Sequence, residues 1–207
     1  MTNVQVKEQM RGQLIAVLRL EEEKLAEAAC RRLYDHGITV LEVTFSVPHA
    51  PELIARLRRQ LPGALVGAGT VLTAEEARLA LQAGAQFVVS PCVSEEVAAC
   101  CREAGVCFCL GAATPTEAWR AHQLGSDPVK LFPGECLSPA AVKAIRAPMP
   151  FLDLVPTGGV NPENLPAWKK AGAFAVGLGG YLTGGITWET LPDLDERCRL
   201  LLAAWQA

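Results

Sequence analysis

The chain has 207 residues, of which 50% are hydrophobic and 20% charged, with a formal net charge of −3 at pH 7. This composition is typical of a soluble protein with a large core, and the lack of a basic stripe argues against nucleic-acid binding. Residues 1–11 lack an apolar signal-peptide core, and charged residues interrupt every long apolar stretch. We therefore expect a cytoplasmic protein that binds neither nucleic acid nor a membrane.

Short apolar runs alternate with amphipathic segments along nearly the whole chain. Eight runs are almost continuously apolar, which is typical of strands in a parallel sheet covered on both faces. These predicted strands are Leu14–Leu18, Thr39–Thr44, Ala64–Ala68, Phe87–Ser90, Val106–Leu110, Pro128–Phe132, Asp153–Pro156 and Phe174–Leu178. The helices between them are predicted to end at glycines, the residue best suited to a left-handed helix stop. These glycines are Gly37, Gly84, Gly105, Gly125 and Gly172.

Helix starts are marked as well. Thr73 and Thr114 each precede a glutamate by three residues, which predicts capping boxes. Ser138 and Asn161 each stand before a proline, an arrangement typical of a helix cap and first turn. A helix within residues 1–13 is expected to cover one end of the sheet, and a last helix is expected within residues 187–207.

Eight strand–helix units in one domain, residues 1–207, predict a (β/α)8 TIM barrel. The alternative is an open, doubly wound parallel sheet. The first predicted strand is not followed by Gly-x-Gly-x-x-Gly, and the segment Gly67-Ala68-Gly69-Thr70 lacks the third glycine. The barrel is therefore favoured.

Two charged residues interrupt apolar strands. Lys130 lies in Pro128–Phe132, and Glu42 lies in a β-branched, apolar run. A buried ammonium must be paired, face a polar cavity or lose its proton, and a free amine attacks carbonyl carbons. One interpretation is therefore Schiff-base chemistry with Glu42 as proton carrier. The other is a structural ion pair with no chemical role.

The carboxyl ends of barrel strands carry the active site, and polar or unusual residues collect there. The candidate substrate contacts at these ends are Arg19, Thr44, Thr70, Pro91, Phe132 and Thr157. Glycine pairs follow the seventh and eighth predicted strands, where barrels bind phosphate through backbone N–H groups. The candidate phosphate-binding residues are Gly158, Gly159, Gly179 and Gly180.

Eight cysteines occur without a Cys-x-x-Cys pair, so we expect reduced thiols that pack as small apolar groups. A zinc site formed by Cys100, Cys107 and Cys109 is an alternative, although the spacing is wrong for a zinc ribbon or finger. Cys92 follows a strand but has no histidine in its pattern, so we interpret it as a lining residue and not as a nucleophile.

Six segments, taken together and in order, resemble the 2-keto-3-deoxy-6-phosphogluconate (KDPG) and 4-hydroxy-2-oxoglutarate (KHG) aldolase family. They are Ile15–Arg19, Leu41–Pro48, Val66–Val71, Ala85–Pro91, Val129–Glu135 and Val155–Val160. The resemblance implies a class I aldolase without metal or other cofactor, in which Lys130 forms an imine with the keto acid and Glu42 moves protons. It also implies that Thr70 and Thr157 line the pyruvate end of the site.

The chain departs from the family pattern at two positions. Some members hold the substrate carboxylate with an arginine at the position of Ser46, and others use an arginine at the end of the first strand, which Arg19 matches. Many relatives have a phosphate-binding serine where this chain has Gly180. The resemblance implies small-molecule partners, namely a 2-keto acid, pyruvate and an aldehyde, and a homotrimer.

Three functions stay open at this point. The first is an aldolase for KDPG, with KHG or an unphosphorylated or C4-epimeric keto acid as further substrates. The second is a barrel isomerase or synthase that uses Glu42 as base and Lys130 only as a cation. The third is a non-catalytic barrel that binds a phosphosugar, which would have no need of a buried nucleophile.

Overall fold

The computed structural model describes residues 1–206 of the chain, which form ten α-helices and nine β-strands. The strands are β1 Leu14–Leu18, β2 Val40–Thr44, β3 Leu65–Gly69, β4 Phe87–Val89, β5 Cys107–Cys109, β6 Gly111–Ala112, β7 Val129–Leu131, β8 Leu154–Pro156 and β9 Val176–Leu178. The helices are α1 Asn3–Met10, α2 Glu23–Asp35, α3 Ala50–Gln60, α4 Ala74–Gln82, α5 Glu95–Glu103, α6 Pro115–Gln123, α7 Pro139–Arg146, α8 Leu165–Lys170, α9 Gly180–Thr183 and α10 Asp193–Gln206. A short 3₁₀ helix covers Gly134–Cys136.

Every strand pair in this α/β fold is parallel. Six strands follow the order β5-β4-β3-β2-β1-β9, and three more follow the order β6-β7-β8. An isolated parallel bridge between Thr157 and Gly177 brings the carboxyl end of β8 beside β9. Because the helices alternate with the strands, the parallel strands are connected by crossovers, as parallel pairing requires. The carboxyl ends of the strands therefore share one edge of the curled sheet.

The predicted strands are confirmed, with ends that agree within two residues. The fifth corresponds to β5, and an additional short strand, β6, follows it after Leu110. The N–H of Leu110 donates to Oγ of Ser126 at 2.8 Å, and this hydroxyl also lies 3.0 Å from the carbonyl oxygen of Pro128. The side chain of Ser126 therefore replaces the strand partner of the N–H of Leu110, whereas the carbonyl oxygen of Leu110 still accepts from the N–H of Lys130.

Alternating residues of the strands face two apolar layers, as expected for a sheet covered on both sides. The inner layer is a cluster of buried side chains that includes Val6 and Met10 from α1 together with strand residues such as Ile15, Phe87 and Val155. The outer layer lies between the strands and the surrounding helices. Helix α1 therefore closes one end of the inner layer, as predicted for residues 1–13.

Charged side chains attach α1 to the amino ends of β7 and β8. Nζ of Lys7 lies 2.6 Å from Asp127 and 2.8 Å from Asp153. Burial opposes the charge on Lys7, but the hydrogen bonds and charges of the two aspartates outweigh it and raise the pKa of this lysine. Arg11 lies 3.3 Å from Asp153 and stacks over the ring of Phe174.

Most helix signals are confirmed. The capping boxes at Thr73 and Thr114 are present, and the five predicted stop glycines have φ between 65° and 95°. Asn161 makes the predicted capping bonds, because its Oδ1 accepts from the N–H groups of Glu163 and Asn164, but the regular helix α8 begins later, at Leu165.

The C-terminal helix begins at Asp193 and not at position 187. Thr187 and Thr190 bond to each other's backbone N–H groups and form a turn in place of its first residues. The last position of the predicted helix, residue 207, lies outside the described residues.

Candidate active site

Lys130 and Glu42 meet inside the curled sheet. Lys130 is the middle residue of β7 and Glu42 the middle residue of β2, and they are only 6% and 3% exposed. Nζ of Lys130 lies 3.6 Å from Oε1 of Glu42, which is an ion pair but is longer than a hydrogen bond. Oε1 is buried and has no hydrogen-bond partner within residues 1–206. A buried carboxylate oxygen without a partner is costly in a purely structural pair.

Two glycines, each on a strand beside the one that carries the polar side chain, make room for Glu42 and Thr157. A side chain at Gly69 on β3 would overlap Oε1 of Glu42, and one at Gly177 on β9 would overlap Oγ1 of Thr157. Thr157 is 6% exposed and lines the same small cavity as Lys130 and Glu42. The sequence analysis marked Gly69 only as part of a glycine-rich segment, and the role of both glycines in accommodating Glu42 and Thr157 was missed.

The ring of Phe132 lies above the amine. Its centroid is 5.4 Å from Nζ of Lys130, within the range of a cation–π contact. Phe132 is half-buried, and Pro91, two residues beyond β4, is half-buried as well. The structure therefore brings Phe132 and Thr157 to Lys130 and places Pro91 at the same edge of the sheet.

The hydroxyl of Thr44 forms hydrogen bonds with a backbone carbonyl of β1 and with a neighbouring serine. Its Oγ1 lies 2.8 Å from the carbonyl oxygen of Leu18 and 2.7 Å from Oγ of Ser46. Thr44 is fully buried, so this contact ties β2 to β1. Its contact with substrate stays a prediction.

Arg19 reaches across the end of β2 to Thr70. Its Nη2 donates to Oγ1 of Thr70 at 3.1 Å, although Arg19 follows β1 and Thr70 follows β3. Thr70 has φ 57°, a left-handed conformation that is rare for a β-branched residue and is found most often at functional sites. Arg19 is exposed just beyond the carboxyl end of β1, and its contact with a substrate carboxylate stays a prediction.

The two glycine pairs lie side by side but have different surroundings. Gly158 and Gly159 are both left-handed, with φ 99° and 65°, and a side chain on Gly158 would overlap the carboxylate of Glu135. That carboxylate disfavours a second anion beside Gly158 unless it moves away. A side chain on Gly180 would meet no atom within 4 Å, so the open space lies at the start of α9. The position of Glu135 was not anticipated from the sequence.

The alternative zinc site is wrong. Within residues 1–206 no group of three or more His, Cys, Asp or Glu residues is arranged to hold a metal, which includes Cys100, Cys107 and Cys109. Cys107 and Cys109 are buried, Cys100 is half-buried and Cys92 is exposed beyond β4. No helix in the described part of the chain is both long and apolar enough to span a membrane.

A parallel α/β fold that encloses an amine and a carboxylate at the centre of its strands is an arrangement typical of barrel enzymes, and comparison with known proteins gives the family. The family model described as KDPG and KHG aldolase matches residues 6–197. The chain therefore belongs to the KDPG and KHG aldolase family, and it is an enzyme of the lyase type.

Two curated relatives show how similar the family members are. The 2-dehydro-3-deoxy-phosphogluconate aldolase of Treponema pallidum is 43% identical over 156 residues, which cover 75% of this chain and 74% of the relative. The 2-dehydro-3-deoxy-6-phosphogalactonate aldolase of Escherichia coli is 35% identical over 173 residues, covering 82% and 83%. The relatives thus include enzymes named for two different sugar acids.

Two solved structures share the fold. The KDPG aldolase of Zymomonas mobilis with 3-phosphoglycerate has a TM-score of 0.83 and 27% identity, covering 96% of this chain and 94% of its own. The KDPG aldolase of Legionella pneumophila has a TM-score of 0.80 and 26% identity, covering 99% and 98%, and holds pyruvate as a covalent carbinolamine.

Proposed function

We propose that the protein is a class I aldolase that cleaves KDPG to pyruvate and glyceraldehyde 3-phosphate and also cleaves 4-hydroxy-2-oxoglutarate to pyruvate and glyoxylate. The observation that carries the proposal is the buried pair of Lys130 and Glu42, with Nζ and Oε1 3.6 Å apart and Oε1 unpartnered within the described residues. Family membership and the carbinolamine of the Legionella relative support the same chemistry.

Lys130 supplies the electron sink of the proposed reaction. Its free amine adds to C2 of the keto acid and forms a carbinolamine, which loses water and becomes an iminium. The C3–C4 bond then breaks, its electron pair moves toward the iminium nitrogen, and an enamine remains. Protonation of the enamine at C3 and addition of water release pyruvate and restore the amine. The iminium formed on Lys130 accepts the electron pair of the broken bond, so the proposed reaction needs no further cofactor.

Glu42 carries the protons of these steps. Its carboxylate takes the proton of the C4 hydroxyl as the C3–C4 bond breaks, and as an acid it protonates the leaving hydroxyl of the carbinolamine. The position of Oε1 3.6 Å from Nζ and the lack of a competing hydrogen bond on Oε1 support this role. An isomerase that used Lys130 only as a cation would form no imine.

The remaining predicted residues bind the two ends of the substrate. We propose that Arg19 holds the carboxylate, with Thr44, Thr70, Pro91, Phe132 and Thr157 around the pyruvate portion. Gly158, Gly159, Gly179 and Gly180 would bind the phosphate through backbone N–H groups. The 3-phosphoglycerate in the Zymomonas relative supports a phosphate-bearing ligand in this family. A second candidate substrate is the C4 epimer of KDPG, because the Escherichia coli relative is named for the galactonate compound.

We infer further that the nine strands form a closed TIM barrel in which β5 and β6 are halves of one strand. Two contacts between the sheets support closure. The N–H of Lys130 donates to the carbonyl oxygen of Leu110 at 3.0 Å, and the N–H of Phe174 donates to the carbonyl oxygen of Leu154 at 2.8 Å.

We also propose that the chain works as a homotrimer in the cytoplasm. The exposed aromatic residues Trp119 and Phe151, in contact with each other, support association, and eight free cysteines support a reducing compartment.

Trapping with borohydride tests the proposed function. Incubation with pyruvate and sodium borohydride should add one pyruvate-derived group per chain, and peptide mass mapping should find it on Lys130. The conservative variant Lys130→Arg should take up no label, whereas Lys143→Arg, which changes a lysine of α7, should be labelled like the unaltered protein. A label on another lysine, or the absence of a label, would contradict the proposal.

Light scattering tests the proposed trimer, and a mass three times that of the chain would support it.

A further inference from the structure

A carboxylate lies against the first pair of glycines that the proposed function assigns to phosphate. The three atoms nearest to a side chain built on Gly158 all belong to the carboxyl group of Glu135, and such a side chain would overlap its Oε2. A side chain on Gly159 would meet Cγ, Cα and the backbone nitrogen of the same glutamate, at distances between 3.0 and 3.5 Å. Glu135 therefore covers both glycines, with its carboxylate on the side of Gly158.

The backbone holds Glu135 in this position. Glu135 is the middle residue of the 3₁₀ helix Gly134–Cys136, which follows the strand of Lys130. The N–H of Gly134 donates to the carbonyl oxygen of Thr157 at 2.7 Å, and a side chain on Gly134 would overlap the carbonyl oxygen of Gly158. The two loops therefore pack backbone against backbone, and Glu135 stays beside the glycines without any bond from its carboxylate.

No cation offsets the charge of this carboxylate. Glu135 is exposed, and none of the ion pairs formed within residues 1–206 includes it. Lys130, on the strand that leads to Glu135, lines the inner cavity instead. A phosphate bound by the N–H groups of Gly158 or Gly159 would therefore lie beside an uncompensated negative charge, well within the ~10 Å over which physiological salt leaves charges unscreened.

The second glycine pair has no such neighbour. A side chain on Gly180 would meet no atom within 4 Å, and one on Gly179 would meet only Cβ of Val17, at 3.8 Å. The phosphate site of the proposed function is thus open beside Gly179 and Gly180 and negatively charged beside Gly158. An unpaired charge of the same sign as the ligand is a common means of selecting against that ligand in favour of a neutral one.

We propose that Glu135 is a specificity-determining residue, whose carboxylate weakens the binding of a phosphorylated tail and so lets the enzyme take substrates with an uncharged, hydroxylated tail as well. The repulsion acts on the charge of the tail and not on the chemistry, because Glu135 does not line the cavity of Lys130 and Glu42. The inference rests on the proposed aldolase function and its phosphate site, and it names the substrate class that this site selects.

Condensation of saturating pyruvate with two aldehydes that differ only in the phosphate tests the proposal. The aldehydes are D-glyceraldehyde 3-phosphate and D-glyceraldehyde. Glu135→Gln removes the charge and keeps the volume, so it should lower the KM for the phosphorylated aldehyde roughly threefold or more and leave the KM for glyceraldehyde within twofold. Glu135→Lys should lower the first KM further. Glu163→Gln, at an exposed glutamate that follows the same loop, is the matched control and should change neither value.

The outcomes separate this inference from the proposed function. Pyruvate has no tail, so borohydride trapping at Lys130 should be the same in Glu135→Gln as in the unaltered protein. Loss of trapping in the unaltered protein would contradict the aldolase itself. If trapping is normal, an unchanged or higher KM for glyceraldehyde 3-phosphate in Glu135→Gln overturns the role of the charge. A KM that falls in Glu135→Ala but not in Glu135→Gln overturns it too, because the bulk of the side chain would then be responsible.

Discussion

Oε1 of Glu42 faces Nζ of Lys130 across 3.6 Å and accepts no hydrogen bond from any group within residues 1–206. In a pair selected only for stability, a shorter contact and additional donors would offset the cost of burying both charges. The observed separation leaves the carboxylate free to exchange a proton with a molecule bound to the amine. This relationship distinguishes the pair from the structural ion pairs on the surface of the protein.

Replacing Glu42 by glutamine removes the titrating group and keeps its volume. We expect the turnover number for KDPG cleavage to fall roughly 10²- to 10⁴-fold, the usual range for loss of a general acid or base. Steady-state kinetics would measure the loss, with Glu103→Gln on the far end of α5 as a control. A decrease below threefold would show that water or another group transfers the proton.

Replacing Arg19 by alanine removes the proposed partner of the substrate carboxylate and the hydrogen bond to Thr70. Because a hydrogen bond to a charged group contributes about 1.5–3 kcal/mol, pyruvate binding should weaken roughly 10- to 100-fold. The concentration of pyruvate needed for half-maximal imine trapping measures this. Arg31→Ala, which removes another exposed arginine that pairs with a carboxylate on its own helix α2, is the matched control.

The same variant offers a rescue. Adding Ser46→Arg to Arg19→Ala places a guanidinium where other family members carry it, and should restore part of the affinity for pyruvate. Unchanged affinity in the single variant would show that Arg19 is only a surface charge that supports Thr70.

Gly180→Ser should strengthen phosphate binding. A side chain at this position meets no atom within 4 Å, and Gly180 does not have a left-handed φ, so serine fits without strain. The added hydroxyl should contribute about 1.5–3 kcal/mol and lower the KM for KDPG by roughly tenfold or more. The KM for 4-hydroxy-2-oxoglutarate, which has no phosphate, is the internal control. Equal effects on both substrates would mean that this loop does not contact phosphate.

The thiols should react in two groups. Cys92 and Cys136 are exposed and should react quickly with a thiol reagent at pH 8, followed by the half-buried Cys100. Burial raises the pKa of Cys101 to about 12 and that of Cys198 to about 11, so these thiols stay protonated as well as inaccessible. We expect two fast equivalents in the native protein and eight after unfolding. Fast reaction of more than three thiols would contradict the buried positions.

The pair of Lys130 and Glu42 could be predicted because a charged residue within a short apolar run is visible in the sequence itself. Lys130 and Glu42 each interrupt such a run, and parallel strands bring their middles to the same depth. The helix stops and capping boxes could be predicted equally well, since they depend on residues close together in the chain.

The contacts between residues far apart in the chain could not be predicted from the sequence. The carboxylate of Glu135 lies against Gly158, and Ser126 binds the N–H of Leu110, yet neither pattern differs from an ordinary loop in the sequence. The hydrogen bond from the hydroxyl of Thr44 to the carbonyl oxygen of Leu18 also depends on the register between β1 and β2. Such contacts follow from register and loop packing, which a single sequence specifies only through the whole fold.

The attachment of α1 has a consequence for the order in which the protein acquires its structure. Lys7 binds Asp127, 120 positions further along the chain, and also Asp153, so these polar contacts of α1 form only after much of the chain exists. The inner layer around Val6 and Met10 gathers residues from Ile15 to Ala175, and β1 pairs early with β2 but late with β9. The burial of Val6 and Met10 is therefore complete only when the last strands are present, and until then their remaining apolar surface is a place for a chaperone to bind.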